Sequence, residues 1–306
     1  MNILNSHKKM IDGLSKKNLL INKDNFDELD NLGFTILRAD KKYWEKNNIN
    51  FDLLEKKFDF LCENEGENGG WENGKKKNKL WEPSAQRISN LPDKDQIFIK
   101  ISMLPDILIG ANYVIKHAFK FSSMQIRNPI PYGDKQDLHI DFRPRLFNYY
   151  NYNQCSSFVY LDNANVNNGS LHLYPGTHKL LGEPSEKYIS SKNLKPIAIN
   201  IEKFNIVLLN IYTWHYAGKN LNGKPRRTIF INYRERSEIQ QLNQKNFLSN
   251  STLKKMSEVE KYLYAVRDED PTQSEIAYIY RNNFFVKKYL KIRDLFYHKY
   301  LQSKKY

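Results

Sequence analysis

Near the middle of the chain, a histidine and an aspartate alternate with apolar residues in the segment Asp137-Leu138-His139-Ile140-Asp141. In extended backbone every second side chain points to the same face, so His139 and Asp141 project together. An imidazole and a carboxylate on one face supply two ligands to one side of a metal ion. A His-x-Asp pair is also common in surface ion pairs, so the assignment depends on whether a third ligand exists.

A third ligand is available in His215, which comes 74 residues after Asp141 and follows an apolar segment at 206–211. Two histidines and one carboxylate form the facial triad of non-haem Fe(II) oxygenases, which leaves the opposite coordination positions open. Arg226 stands eleven residues beyond His215, and its planar guanidinium suits bidentate binding of a carboxylate. We therefore predict His139, Asp141 and His215 as iron ligands and catalytic residues.

The region around these residues has the pattern of an antiparallel β-fold. Short segments that favour strands recur from about residue 112, with Gly, Pro, Asn and Asp between them. They lie at 113–115, 122–127, 157–161, 170–174, 197–201, 206–211 and 228–233. Because no helical pattern separates them, the sequence predicts a mainly β fold of the sandwich or jelly-roll type, with flanking helices.

The two ends of the chain are predicted to be helical. Phe26, Leu29 and Leu32 are spaced as on a helix that ends at Gly33, and a short strand follows at 34–37. A further helical pattern lies near 104–109, and helical spacing returns after residue 236. We divide the chain into the following parts of one integrated domain: a helical region at 1–111 with an early strand and a polar flap at 62–79, a β core at 112–236, and a basic helical extension at 237–306 packed on the core.

Three segments resemble the phytanoyl-CoA dioxygenase family. The first reads Gly169-Ser170-Leu171-His172-Leu173-Tyr174-Pro175-Gly176-Thr177-His178-Lys179 and is similar to the family signature Gly-x-Leu-x-x-x-Pro-Gly-Ser/Thr-His-Lys. Residues 214–227 resemble the segment that carries the distal histidine, and residues 30–37 resemble the entry from helix to strand. The resemblance spans about 25–235, and its motifs agree best between 137 and 234.

The resemblance implies a double-stranded β-helix, the cupin-like jelly roll, and a dioxygenase that uses Fe(II), 2-oxoglutarate and O₂. The expected reaction is hydroxylation of a C–H bond with release of succinate and CO₂; desaturation, epimerisation and ring closure stay open. By position, the family's iron ligands correspond to the three residues predicted above. Arg226 would bind the distal carboxylate of 2-oxoglutarate, and Gln125 would contribute a polar contact to it.

The sequence departs from the family at one position. The family often has Ser or Thr two residues after the distal histidine, where it helps the arginine hold the cosubstrate, and Ala217 stands there in this chain. Thr228 or Tyr160 are the candidates to replace that hydroxyl. His172 and His178 are interpreted as structural residues, because the turn at Pro175-Gly176 separates them.

Three residues just after the predicted iron ligands, Arg143, Arg145 and Tyr149, are the candidate substrate contacts. Lys and Arg number 48 against 34 Asp and Glu, which gives a net charge of +14. Both observations favour a small anionic substrate that is phosphorylated, nucleotide-linked, or bound to CoA or a carrier. The alternative is that the two arginines pair with Asp134 or Asp137.

Composition excludes several other classes of protein. The 306 residues contain two cysteines, so a disulfide framework is excluded. Neither a membrane-spanning segment nor a secretory signal is visible, so we expect a cytoplasmic protein that is not transmembrane. Two alternative functions stay open: a non-catalytic jelly-roll binding protein, and a 2-oxoglutarate oxygenase acting on nucleic acid, which lacks any further sequence signature. The sequence does not indicate an oligomeric state.

Overall fold

The computed structural model describes residues 3–65, 85–141, 152–180 and 182–268. Most of the predicted flap at 62–79, the basic segment at 278–306, and Arg143, Arg145 and Tyr149 lie outside these residues. The helices are α1 Ile3–Ser15, α2 Lys23–Asn31, α3 Lys41–Lys46, α4 Phe51–Asn64, α5 Leu91–Lys94, α6 Gln96–Ser102, α7 Pro105–Ile115, α8 Glu186–Ser191, α9 Gln244–Phe247, α10 Asn250–Lys255 and α11 Glu258–Leu263. The strands are β1 Phe34–Leu37, β2 Ala85–Ser89, β3 Phe119–Pro129, β4 Gln154–Tyr160, β5 Leu171–Leu173, β6 Ile197–Ala198, β7 Ile206–Asn210, β8 His215–Ala217 and β9 Thr228–Glu235.

The strands form two antiparallel sheets. The larger sheet has the order β1-β7-β4-β9-β3-β2, and the smaller has the order β6-β5-β8. Neighbours in the larger sheet are distant along the chain: β4 lies between β7 and β9, and β9 lies between β4 and β3. This arrangement, with helices on the outer side of the large sheet, confirms the predicted mainly β jelly-roll core.

The central strand β7 shows how the two sides of the large sheet are filled. Ile206 and Leu208 belong to the apolar cluster between this sheet and the helices, whereas Val207 and Leu209 belong to the cluster between the two sheets. A strand that is buried on both faces has no polar alternation, which explains its continuous apolar sequence. Helix α7 comes so close to β7 that a side-chain carbon added at Gly110 would lie 2.3 Å from Leu208.

One predicted strand is wrong, and two observed strands, β2 and the short β8, were not predicted. Residues 113–115, expected in a strand, form the last turn of α7, because the apolar segment that begins at Pro105 continues as a single helix. Strand β2 at Ala85–Ser89 was missed because its central residues Gln86 and Arg87 are polar. The large sheet therefore takes both its edge strands, β1 and β2, from residues that precede the predicted β core.

Among the described residues, no single helix is long and apolar enough to cross a membrane. The consecutive helices α6 and α7 reach the required length only together, with a bend of 47° between them. Ile99 of α6 and Leu108 of α7 are fully buried in the outer core.

A network of ion pairs joins helix α4 to the β core through Arg227. Its guanidinium lies 2.7 Å from an oxygen of Asp162, 2.8 Å from Asp59 and 3.0 Å from Glu55. Asp162 follows β4, Glu55 and Asp59 belong to α4, and Arg227 directly precedes β9. Arg227 is 18% exposed, so these pairs are less screened by water than ordinary surface pairs.

We predict that Arg227→Ala lowers the free energy of unfolding by about 2–3 kcal/mol, because it removes several charge-assisted hydrogen bonds and leaves carboxylates unpaired. Urea denaturation measures this change. The matched control is Arg267→Ala, which removes an exposed arginine paired with Glu258 and is expected to cost less than about 0.5 kcal/mol. Equal losses in the two variants would contradict the prediction.

Candidate metal centre

The three predicted ligands lie together in the structure. His139 forms an isolated β-bridge with His215, in which each backbone N–H donates to the carbonyl of the other at 3.0 Å. The bridge brings the imidazole centroids to 4.5 Å from each other. One ligand atom each from His139, Asp141 and His215 lies within 4.8 Å of the other two. Such a cluster is compact enough to hold one metal ion.

Hydrogen bonds fix which nitrogen of each histidine faces the centre of the cluster. The Nδ1 of His139 lies 2.7 Å from the carbonyl oxygen of Asp137, and the Nδ1 of His215 lies 2.8 Å from that of Thr213. A carbonyl oxygen only accepts hydrogen bonds, so each Nδ1 carries the proton and each Nε2 presents a lone pair. This is the arrangement in which backbone carbonyls orient metal-binding histidines.

The lone pairs of the two Nε2 atoms face the carboxylate of Asp141. The distances are 3.8 Å from His139 to Oδ1 and 3.6 Å from His215 to Oδ2. Oδ2 is buried and has no hydrogen-bond partner among the described residues. Electron-rich atoms that face one another without a proton between them repel, and a cation placed among them would remove that repulsion. The donor set of two imidazoles and one carboxylate therefore fits a divalent transition metal such as Fe(II).

The charge states of the cluster suit metal binding at neutral pH. Burial acts to raise the pKa of Asp141, but electrostatic interactions with the nearby rings of His215 and His139 hold that pKa below its ordinary value. Arg127 and Arg87 act in the same direction. Burial lowers the pKa of His215 to about 4. The carboxylate is thus ionised and the His215 imidazole neutral, which are the forms that bind metals.

Arg226 lies in the wall of the same cavity, an open space of about 670 Å³. Its guanidinium is buried and interacts electrostatically with the phenol group of Tyr160. Burial lowers the pKa of Arg226, and no hydrogen-bond partner of its Nε is found among the described residues. The next residue, Arg227, turns outward to the ion pairs described above. A buried guanidinium in a cavity is a strong site for a carboxylate.

Two residues were the candidates to replace the hydroxyl that Ala217 lacks. Ala217 lines the cavity, and its backbone N–H donates to the side chain of Gln136 at 3.0 Å. Of the two candidate replacements, Tyr160 contacts Arg226, whereas the Thr228 hydroxyl lies 3.4 Å from the carbonyl oxygen of Arg127. Of the two, Tyr160 is therefore the one that interacts with Arg226, and both residues line the cavity.

Three further residues from the sequence analysis, Gln125, Asp134 and His172, have different surroundings in the structure. Gln125 is buried on β3, and its Oε1 has no partner among the described residues, but it does not line the cavity. Asp134 was considered in the sequence analysis as an ion-pair partner of Arg143 or Arg145. In the structure its Oδ1 lies 3.0 Å from the Nζ of Lys219. His172 stacks on Tyr216 with ring centroids 4.7 Å apart.

The second histidine of the signature segment links this segment to the end of helix α2. His178 is buried, and its Nε2 lies 3.2 Å from the carbonyl oxygen of Asp30. Gly33, with φ +85°, passes so close that an added side-chain carbon would lie 2.5 Å from the His178 ring. Burial lowers the pKa of His178 to about 4. This histidine is a structural residue, as interpreted from the turn that precedes it.

Two arginines near the centre were not predicted. Arg127 lines the cavity, with its guanidinium 5.1 Å from the ring centroid of Phe230. Arg87 on β2 stands directly opposite Arg127 in the antiparallel pairing of β2 with β3. Arg127 could have been found from the sequence, because it stands two residues after Gln125 on a predicted strand and shares its face. Arg87 gave no such signal, since β2 itself was not predicted.

The sequence matches the model of one protein family. Residues 83–228 match phytanoyl-CoA dioxygenase (PhyH), and the matched range includes the metal cluster and Arg226. This part of the chain is a phytanoyl-CoA dioxygenase domain. With this domain the protein is a 2-oxoglutarate-dependent dioxygenase, with Fe(II), 2-oxoglutarate and O₂ as cofactor and cosubstrates. No curated protein gives a significant match to the sequence.

Solved structures agree with the phytanoyl-CoA dioxygenase fold. EctD from S. alaskensis, determined with 2-oxoglutarate and 5-hydroxyectoine, is 14% identical over 72% of this chain and 78% of its own, with a TM-score of 0.55. HygX from Streptomyces hygroscopicus, with nickel and 2-oxoglutarate bound, is 14% identical over 72% of this chain and 89% of its own, also at 0.55. The epimerase SnoN from nogalamycin biosynthesis is 13% identical over 69% of this chain and 81% of its own, at 0.54. These similarities establish the fold of the core.

We predict that His215→Ala and Asp141→Ala each weaken Fe(II) binding about 100-fold or more, because each removes one of three protein ligands. Anaerobic calorimetric titration with Fe(II) measures the affinity. The matched control is His172→Ala, which removes a nearby histidine that stacks on Tyr216 and should leave the affinity unchanged. Full Fe(II) affinity in the His215→Ala protein would contradict the assignment.

Proposed function

We propose that this dioxygenase hydroxylates a C–H bond of a small anionic metabolite. Each turnover converts the substrate, 2-oxoglutarate and O₂ into hydroxylated substrate, succinate and CO₂. The main support is the convergence of His139, Asp141 and His215 in one cavity with the buried guanidinium of Arg226. The phytanoyl-CoA dioxygenase domain at 83–228 supports the reaction type, and the residues of the cavity support the assignment of roles.

His139, Asp141 and His215 bind the ferrous ion through the two Nε2 atoms and the carboxylate. When bound, iron and 2-oxoglutarate supply the chemistry that transfers one oxygen atom of O₂ to the substrate and the other to succinate. The backbone carbonyls of Asp137 and Thr213 hold the two imidazoles in the required tautomer. These hydrogen bonds orient the ligands before the metal arrives.

Arg226 binds the distal carboxylate of 2-oxoglutarate. Tyr160 accepts a hydrogen bond from Arg226 and so limits its rotation, while its own hydroxyl can donate to the same carboxylate. Thr228 and Gln125 are further candidates for polar contacts to the cosubstrate. The aromatic rings of Phe158 and Phe230 line the cavity and reduce the access of water to the reacting groups.

The anionic character of the substrate rests on charge. The chain has a net charge of +14, and Arg127 lines the cavity beside the metal cluster. Arg143, Arg145 and Tyr149 remain predicted substrate contacts. We also place the enzyme in the cytoplasm, in keeping with Cys62 and Cys155, which are both free thiols.

The proposal is tested with the iron-loaded protein in two steps. Anaerobic addition of Fe(II) and 2-oxoglutarate should give a weak visible charge-transfer band. Exposure to O₂ with a panel of phosphorylated and carboxylated metabolites should then give one product with the mass of one added oxygen, together with succinate. Asp141→Ala should abolish both products. A protein that gives neither band nor succinate would be the non-catalytic binding protein, and a hydroxylated oligonucleotide would point to the nucleic-acid alternative.

We predict that Arg226→Gln weakens 2-oxoglutarate binding about 100-fold, because a charge-assisted bidentate contact is lost. Tyr160→Phe should weaken it about tenfold, since it removes one hydroxyl and keeps the ring. Titration of the charge-transfer band measures both affinities, and Fe(II) affinity should stay at the wild-type value in each variant. Unchanged 2-oxoglutarate affinity in the Arg226→Gln protein would reassign this residue.

A further inference from the structure

The metal-binding form of His215 depends on one backbone carbonyl. The Nδ1 of this imidazole donates to the carbonyl oxygen of Thr213 at 2.8 Å, which leaves on Nε2 the lone pair that faces Asp141. A histidine held in this way keeps both its tautomer and its ring orientation before a metal is bound. Any contact that fixes the direction of the Thr213 carbonyl therefore acts on the metal centre.

The peptide unit that contains this carbonyl is also held from its other side. The peptide bond between Thr213 and Trp214 is trans, so its C=O and N–H groups lie in one plane and point in opposite directions. The Trp214 N–H donates to Oγ1 of Thr177 at 2.9 Å. Because the peptide unit is rigid, a hydrogen bond to its N–H also restricts the rotation of its carbonyl. A single peptide plane thus connects Thr177 to His215.

The hydroxyl of Thr177 is oriented to accept this hydrogen bond. It donates its own proton to the carbonyl oxygen of Tyr174 at 2.7 Å, so an oxygen lone pair is available for the Trp214 N–H. The Tyr174 N–H in turn donates to the carbonyl oxygen of Trp214 at 2.9 Å. The signature segment therefore binds both backbone groups of Trp214. Consecutive hydrogen bonds of this kind polarise and strengthen one another.

Burial makes the Thr177 hydroxyl difficult to replace by water. Thr177 is 3% exposed, Trp214 2% and Thr213 0%. The Trp214 indole helps to close this region, since its Nε1 donates to the carbonyl oxygen of Gly182 at 2.7 Å and its ring contacts Tyr174. A buried N–H that loses its acceptor is costly. Without the hydroxyl, we expect the peptide unit to rotate toward another acceptor and to move its carbonyl.

We propose that Thr177 is a positioning residue for the metal centre: it holds the Thr213–Trp214 peptide unit so that the carbonyl keeps the proton of His215 on Nδ1. The inference rests on the metal-binding role of His215 in the proposed function. Thr177 is not among the described residues that line the cavity, so it acts only through the backbone. This role gives the threonine of the Pro-Gly-Thr-His segment a part in building the site.

The experiment compares Co(II) binding by full-length variants that differ in the hydroxyl of Thr177. Thr177→Val keeps the shape of the side chain without the hydroxyl, whereas Thr177→Ser keeps the hydroxyl. Titration of metal-free protein with Co(II) measures the affinity, and the visible absorption of bound Co(II) reports the geometry of its ligands. Thr177→Val should weaken Co(II) binding about tenfold and change this spectrum, while Thr177→Ser should stay within about twofold of the wild type. An equal loss in both variants would overturn the proposal.

Thr35→Val is the matched control. Thr35 is a second buried threonine, 1% exposed, whose hydroxyl contacts Asn25 and Glu28 of α2 rather than the backbone beside His215. The substitution removes a buried hydroxyl by the same change of side chain, and thermal unfolding should show a lower midpoint. Co(II) affinity and spectrum should stay those of the wild type. If Thr35→Val weakens Co(II) binding as much as Thr177→Val does, the effect follows from stability alone and the proposal fails.

The tautomer of His215 gives a second readout in the metal-free protein. Nitrogen NMR of ¹⁵N-histidine-labelled protein distinguishes a proton on Nδ1 from a proton on Nε2, and the His215 signals are identified by their loss in His215→Ala. The wild type should show the Nδ1–H form, and Thr177→Val should show a mixture of both forms. Should Thr177→Val not fold, Thr177→Ala leaves room for a water molecule at the Trp214 N–H and should show the same mixture. A pure Nδ1–H form in the variant that folds would overturn the proposal.

Two outcomes separate this proposal from the proposed function. Wild-type protein that does not bind Co(II) would refute the metal centre and the positioning role with it. Co(II) binding that is lost in His215→Ala, but is as strong in Thr177→Val as in the wild type, would refute the positioning role alone. The metal centre and the dioxygenase assignment would then stand, and Thr177 would only close the turn that begins at Tyr174.

Discussion

The backbone pairing of residues 136–139 with β8 determines the geometry of the metal centre. Gln136 donates to the carbonyl of Ala217 at 2.9 Å, and His139 and His215 exchange two hydrogen bonds at 3.0 Å. These bonds join segments that are distant along the chain. They also set the spacing of the two imidazoles and bring Asp141, two residues further on, to the same point. If this pairing shifted by one residue, the imidazoles would point to opposite faces and the cluster would not form.

Burying charged side chains in this cavity lowers the stability of the folded protein. Asp141 and Arg226 are largely removed from water, and burial opposes the charged form of each. Buried charges persist when partners or ligands compensate them. In the proposed function, iron and 2-oxoglutarate would supply such compensation for Asp141 and Arg226. A cavity built in this way favours ligand binding at the expense of the stability of the empty protein.

Strands that are rich in buried apolar residues were predicted well from the sequence, whereas the polar edge strand β2 was not. The segments 206–211 and 228–233 match β7 and β9, because central strands are rich in apolar residues. The segment 113–115 was misassigned because a short apolar run does not separate the end of a buried helix from a strand. Strand β2 is a short polar edge strand that becomes extended only by pairing with β3.

The sequence alone determined the ligand chemistry, because the types of residues and the two-residue spacing of His139 and Asp141 are local properties of the chain. It also indicated the family through the Pro-Gly-Thr-His segment. Only the tertiary structure decided that Arg226 turns into the cavity and Arg227 away from it, since neighbouring residues take opposite directions according to what packs around them. It alone brought Tyr160 to Arg226 and set Arg87 opposite Arg127. Those contacts depend on the register between strands, and no local periodicity encodes that register.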